Sequence, residues 1–415
     1  PSRVLARSTM LPQSQGLATM VLLIGIAVGV DYALFLLRRA RDERRTGAGV
    51  HESVLIACAT SGRAVITSGV TVIVAMLGLM ILREPTFASM GAGAMLVVAA
   101  AVVGSLTALP AVLTLLGDRV DRLRVPWISR RSDAHRGRLW SRVASRTVQR
   151  PLLAFVLSAG LLAAMTLPAI GMQTRLPSLK DLPRSVPALV TFDELQAAFP
   201  QEGAQHLVVV TPRAGLTMRS AEVREAVSDL QLAAATGGLT SPNECPLTIS
   251  ADGRVWLVAF GSGRDDTSPQ TVQQLQQLRS VWIPQTIGRV ATADVTGVAA
   301  GSLDFTQLVR DNLPLVIGFV VLFTFIVMLV SFRSPVIAFA TIGLNLLSVG
   351  AAYGLLAAIF QTHRFDGLLG ITTNGAVVAW VPLFLFVVLF GLSMDYHVFV
   401  LSRIREEHRA GASPS

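Results

Sequence analysis

Lysine is almost missing from this chain: among 415 residues it occurs once, as Lys180. Charge of either sign is scarce, at 15% of residues against 52% hydrophobic ones, and mean hydropathy is positive. A soluble protein of this length carries about a quarter charged residues, so the balance points to an integral membrane protein. Cysteine is limited to Cys58 and Cys245, with no CxxC pair and no Cys/His cluster, which argues against a structural metal site. No GxxxxGK[ST] loop is present, so ATP is not a visible energy source. The acids of the central segment (Asp193, Glu194, Asp265 and Asp266) have no Ser/His or metal-ligand spacing around them. No catalytic residue, metal or cofactor is therefore expected, and the chain reads as a non-enzyme. The net charge of +9 is nearly all arginine. Those arginines flank apolar runs, which membrane topology explains better than nucleic-acid binding does.

Within this apolar background two aspartates stand in the same local sequence, 364 positions apart. The first lies in VGVDYALFLLRRARDERRTG (28–47) and the second in LSMDYHVFVLSRIREEHRAG (392–411). Asp31 matches Asp395, Tyr32 matches Tyr396 and Phe35 matches Phe399; Arg39 and Arg403, and Gly47 and Gly411, coincide as well. A carboxylate inside a membrane span costs at least ~2.5–3.5 kcal/mol and is retained for ion or proton traffic. A duplicated Asp–Tyr pair thus predicts a duplicated transporter with a protonatable centre.

Seven apolar runs are long enough to cross ~30 Å of hydrocarbon: 17–38, 64–82, 87–116, 151–171, 313–331, 335–360 and 378–401. Arginine placement orients them. The segment 38–63 holds six arginines against three acids, and 117–150 holds ten against three. Both are expected to be cytoplasmic, as is the tail from 402 to 415. The segment 172–312 carries eleven basic and fourteen acidic residues and is expected outside. It has strand-like runs at 206–211, 255–260 and 291–297 and helical patterns at 219–233 and 268–280, which suggest a small α+β domain. Three prolines at 177, 183 and 187 predict an extended lead-in over 172–190. The stretch 117–150 reads as an Arg-rich linker along the membrane surface. Cys58 and Cys245 fall on opposite sides of the membrane, so no disulfide joins them.

As helices, the first and last spans place Asp31 and Phe35 on one face, and Asp395 and Phe399 likewise. Small residues (Gly25, Gly29, Ala33; Gly391, Ser393) permit close helix approach. If the two helices pack by pseudo-twofold symmetry, each Asp reaches the other helix's Tyr, a hydrogen bond that makes a buried carboxylate tolerable. Desolvation raises a carboxyl pKa and a bond to the ionised form lowers it, so the balance suits a relay. Phe35 and Phe399 fit a packing role as well as a functional one. His397, two residues from Asp395, falls near the opposite helix face and is expected to be structural or interfacial. Arg38, Arg39, Arg403 and Arg405 fit a positive-inside anchor.

At these residues the chain resembles a known family. GVDYALFLLRRARDE, SGRAVITSGVTVIVAMLGLMIL, the SFRSP turn at 331–335, NLLSVGAAYGLL at 345–356 and FGLSMDYHVFVLSRIREEH are similar to the MmpL family of the resistance-nodulation-division (RND) superfamily. The resemblance implies an α-helical polytopic membrane protein with an RND-type transmembrane bundle and an inserted α+β porter-like extracytoplasmic domain. It implies that 17–116 holds spans four to six, 151–171 span seven, 172–312 the second outer domain and 313–401 spans eight to ten. Spans one to three, a first outer domain and spans eleven and twelve would then lie outside this sequence. The leader 1–16 does not continue the family's third span and reads as a truncation, frame change or artificial junction.

The implied function is proton-motive-force-driven export of lipids or other lipophilic cell-envelope molecules from an actinobacterial-type plasma membrane. Asp31, Tyr32, Asp395 and Tyr396 match the family's proton-relay pairs, and Phe35 and Phe399 match hydrophobic residues flanking them. The position after the second DY, commonly Glu in the family, is His397 here. Implied partners are membrane lipids or a lipophilic substrate, protons and envelope accessory proteins, with no nucleic acid. A lipid- or sterol-sensing receptor and a non-functional gene remnant stand as the alternatives.

Overall fold

A computed structural model of the chain describes residues 15–117, 145–176, 187–198, 205–217, 219–239, 248–250, 254–262, 268–370 and 375–409, with a few isolated positions between them. Along the chain run helices α1 (Gln15–Arg45), α2 (Val50–Leu77, extended by a 3₁₀ turn Gly78–Leu82), α3 (Pro85–Leu106), α4 (Ala108–Leu116) and α5 (Pro151–Thr166). There follow strand β1 (Thr174–Arg175), α6 (Pro187–Ala198), β2 (Gln205–Pro212), α7 (Ala221–Thr236), β3 (Thr248–Ile249), β4 (Trp256–Gly261), α8 (Pro269–Gln277), α9 (Ile283–Thr286) and β5 (Ala291–Thr296). The last part holds α10 (Val298–Phe332), α11 (Pro335–Phe360), α12 (Asp366–Leu369), β6 (Val377–Val378) and α13 (Val381–Arg409). These form two compact units, one of 1–172, 312–358 and 381–415, the other of 173–311 and 359–380.

The first unit is helical. Among the described residues, seven helical segments are long and apolar enough to cross a membrane, one at each run expected from the sequence. Their ends differ in instructive ways. The span expected at 64–82 belongs to a helix that begins at Val50, fourteen residues earlier. Its buried side over those turns is Ser53, Val54, Ala57 and Ser61, a helical stripe of small residues that a hydropathy window does not register. The run 87–116 is two helices that meet at Thr107, with Pro110 in the first turn of α4. The run 313–331 lies inside α10, which starts at Val298 and continues through Pro314. Two hairpin turns share one device. Arg83 and Arg333 each adopt φ 53°, and each is followed by a capping residue and a proline that starts the next helix. Glu84 caps α3 by accepting from the backbone N–H of Thr86 at 2.8 Å and Phe87 at 3.1 Å.

Two glycines illustrate how closely the helices approach. On α2, Gly69 leaves no room for a Cβ against Val102 of α3. On α11, a Cβ at Gly354 would run into the backbone carbonyl of Met165 on α5. A backbone obstacle cannot rotate away as a side chain can, so this second contact fixes the α5–α11 spacing.

The second unit is an α+β domain. Its four-stranded antiparallel sheet has the order β3-β4-β2-β5, with His206 opposite Phe260 and Val210 opposite Trp256 across the central pair. Val208, Val210, Val258 and Phe260 on one sheet face pack against Val223, Val227 and Leu230 of α7 and Leu275 of α8. Gly297, at φ 123°, closes β5 beside the backbone of Gln205, where a side chain would clash. Arg279 binds Asp304 of α10 through both guanidinium nitrogens, at 2.5 and 2.9 Å, and donates to the Val295 carbonyl at 2.9 Å. A second, two-stranded sheet pairs β1 with β6 in parallel, Thr174 with Val377. Of the extended lead-in expected over 172–190, residues 177–186 lie outside the described residues, and the residues from Pro187 are helical instead. Proline there occupies the first helical position, where its missing N–H costs nothing. Most of 117–150, the leader to residue 14, Cys245, Asp265 and Asp266 lie outside the described residues.

His206 is completely buried in the α+β core, and neither ring nitrogen bonds to a described residue. Burial, and then the nearby Arg279 charge, push its pKa below the ordinary 6.5. A folded pKa below the unfolded one means that His206 favours the fold fully above pH ~6.5. That contribution declines as pH falls from there through the folded value. Hydrogen exchange of the β2 and β4 amides, corrected for intrinsic rates, should therefore show protection lost on acidification below about pH 6. In His206→Leu that acid-dependent loss should disappear. Separately, Gly354→Ala should lower stability in detergent by about 1–3 kcal/mol. Gly343→Ala, with no atom near its would-be Cβ, should leave thermal unfolding nearly unchanged.

Candidate functional site

The two helices that carry the duplicated motif are α1 and α13, and both contact α2. Gly391 of α13 rests on Val72 and Ala75 of α2. This brings the two motifs within reach of each other. Tyr396 Oη donates to Asp31 Oδ2 at 2.6 Å, across 365 positions of sequence. A 2.6 Å O–H···O contact is in the range of charge-assisted bonds, as expected for a phenol donating to a carboxylate.

Tyr32, about 100° around α1 from Asp31, is buried, at 2% exposure. Its hydroxyl is 2.8 Å from Ser68 Oγ on α2, a pair in which either oxygen can donate. Asp395 and Phe399 take their positions on α13, but their side chains lie outside the described residues. Of the reciprocal Asp–Tyr pairing expected from the sequence, the Tyr396–Asp31 half is therefore visible. Phe35 lines the same cleft as Asp31, one turn along. His397 Nδ1 is 2.9 Å from the Ser393 carbonyl of its own helix.

Asp31 faces an open cleft of about 320 Å³ lined by Val28, Asp31, Tyr32, Leu34, Phe35, Arg38, Leu392, Tyr396 and Val400. The sequence suggests a buried carboxylate, yet Asp31 is exposed here. Comparing the two repeats gives the reason. Leu34 on α1 is 45% exposed, while its counterpart Val398 on α13 is 5% exposed and packs with Met328 of α10 and Ala338 of α11. No described helix covers the matching flank of α1. On α13 the situation reverses: Tyr396 is 57% exposed where Tyr32 is covered by α2.

Two members of this site were not apparent in the sequence. Ser68 is one of several hydroxyl residues (Ser61, Ser68, Thr71) on the buried side of α2. The seven-residue spacing of Ser61 and Ser68 in an apolar run is the signal that could have singled it out. Arg38, taken as a surface anchor, lines the cleft two turns from Asp31. It places a fixed positive charge at one end of the cavity that holds the carboxylate. Among the described residues no group of His, Cys, Asp and Glu could hold a metal ion.

The pattern of the MMPL family matches residues 3–154 and 180–415. The chain is 33% identical over 402 residues to the mycolic acid-containing lipids exporter MmpL11 of Mycolicibacterium smegmatis, covering 93% of this chain and 40% of that protein. It is 33% identical over 411 residues to the heme uptake protein MmpL11 of Mycobacterium tuberculosis, covering 93% and 40%. To the trehalose monomycolate exporter MmpL3 of M. tuberculosis it is 26% identical, covering 95% and 44%. The chain thus spans less than half the length of these curated relatives.

Ser68→Ala removes the hydroxyl opposite Tyr32 inside the bundle and should destabilise the protein by about 1 kcal/mol. Ser68→Thr, which keeps the hydroxyl, should cost less than Ser68→Ala if the bond and not the packing volume is what matters. Thermal unfolding in detergent checks the ranking.

Proposed function

This chain belongs to the MMPL family of RND-type membrane transporters, and on that premise we propose that it forms part of a proton-driven exporter of lipids or lipophilic envelope molecules. The Tyr396–Asp31 hydrogen bond between the two motif helices carries the reading. A carboxylate that accepts from a phenol on a different helix ties the helices together while ionised. Once protonated, it loses the charge that holds the phenol and becomes a donor itself. Proton uptake at Asp31 thereby changes how strongly α1 holds α13, which is the differential interaction that a coupled conformational cycle needs. Arg38 lines the same cleft and supplies a fixed positive charge there.

Tyr32, Asp395 and their neighbours complete the relay by the internal repeat: Asp395 stands where Asp31 does, and Tyr32 where Tyr396 does. Phe35 lines the cleft beside Asp31 and restricts water there. Cargo recognition belongs to the α+β domain outside the membrane, with lipids or envelope accessory proteins as partners. The relatives' names span lipid export and heme uptake. The same proton couple serves either direction, and export is the direction that two of the three relatives' names carry.

The test is gradient-driven cargo movement by the full-length protein in proteoliposomes. Asp31→Asn and Asp395→Asn should each reduce it to the level seen without a pH gradient, with the protein still folded. Tyr396→Phe should reduce it by about tenfold, the worth of one hydrogen bond to a charged group. Transport that persists in the Asp31→Asn/Asp395→Asn double variant, or that ignores the gradient in the unaltered protein, rules this function out.

A further inference from the structure

A further polar contact in the helical bundle is not used by the relay. Asn345 stands ten residues after Pro335, well inside α11, and is 0% exposed. Its amide oxygen accepts from the Ser393 hydroxyl of α13 at 2.7 Å. Its amide nitrogen bonds to no described residue. Among apolar helices an unfilled amide donor costs a few kcal/mol, so bundle stability alone would be better served by leucine. Single buried polar residues of this kind are best known as devices that fix the register of one helix against another.

The register that Asn345 fixes is that of the relay helix. Ser393 and Tyr396 are three residues apart on α13, one turn on the same side of it. Ser393 is tied to α11 and Tyr396 to α1. A slip of α13 by one residue turns it by about 100° and moves it about 1.5 Å, which breaks both bonds together. We propose that Asn345 is a positioning residue for the proton site: through Ser393 it sets the rotation and height of α13 at which the Tyr396 hydroxyl meets Asp31. The geometric part stands by itself, and the consequence for transport rests on the relay reading above.

Infrared spectroscopy of the purified protein in lipid nanodiscs reads the contact directly. Asp31→Asn identifies the carboxyl band, and ring-labelled tyrosine with Tyr396→Phe identifies the phenol. Asn345→Leu and Ser393→Ala are each expected to lower the bonded Tyr396–Asp31 population about fivefold, as the loss of one anchoring hydrogen bond would. The double variant should be no worse than the more severe single one, because both remove the same bond. Ser393→Thr, which keeps the hydroxyl, should retain the native bands. The two single variants break the bond from opposite helices, so either one that folds gives the reading. A folded Asn345→Leu or Ser393→Ala protein with native carboxyl and phenol bands overturns the proposal. Shifted bands together with gradient-driven transport that survives Asp31→Asn would instead sink the relay and leave Asn345 as a register device.

Discussion

Among apolar helices a polar group has to find its partner within the protein, because no water is available to supply one. This chain meets that requirement mainly with hydroxyls, which both donate and accept. Tyr396 donates to Asp31, Tyr32 pairs with Ser68, and Ser393 donates to Asn345. Such bonds work only below about 3 Å, so they dictate how near the helices must come. Gly69 follows Ser68 on α2 and lies close to the Tyr32 hydroxyl while leaving room for Val102 of α3. Gly391, two residues before Ser393, lets α13 rest on α2. The small residues and the hydroxyls are one arrangement: the first brings backbones together and the second uses the distance gained.

The α+β unit solves the same accounting differently. Its backbone groups pair across the sheet, and its apolar side chains face α7 and α8. Helix α10 belongs to both units. Its first turns put Ala300 into the sheet core and Asp304 under Arg279, and its later turns carry Val316 and Val320 beside Gly78 of the helical unit. The chain keeps helical hydrogen bonding through this passage despite Pro314, whose ring removes one donor.

How much of this was legible beforehand depends on whether the signal is carried by one residue's own type or by its neighbours. The seven spans are legible because hydropathy is a local property, and the duplicated Asp–Tyr motif is legible because repetition needs no structure to be seen. Helix ends are less so. The start of α2 at Val50 depends on serines and alanines whose burial comes from helices elsewhere in the chain. In sequence Pro187 suits an extended chain, but the first turn of a helix accepts it equally well. The β1–β6 pairing joins residues about two hundred positions apart through two-residue strands, too short for any alternation to announce them. The partners of the site follow the same rule. The seven-residue spacing marks Ser61 and Ser68 as one polar side of α2, but only packing selects Ser68 as the partner of Tyr32 and Asn345 as the acceptor for Ser393.

Tyrosine is rarer here than tryptophan, with three against five. Each of the three points its hydroxyl at a named acceptor or partner within the helical bundle: Tyr32 at Ser68, Tyr353 at the Pro382 carbonyl, Tyr396 at Asp31. The protein has in effect labelled its own interior. Within this sequence, a single isotopically marked amino acid supplied during growth would label three phenols, one on each of α1, α11 and α13. The electronic state of the intramembrane contacts could then be followed during turnover without a foreign probe or an altered side chain.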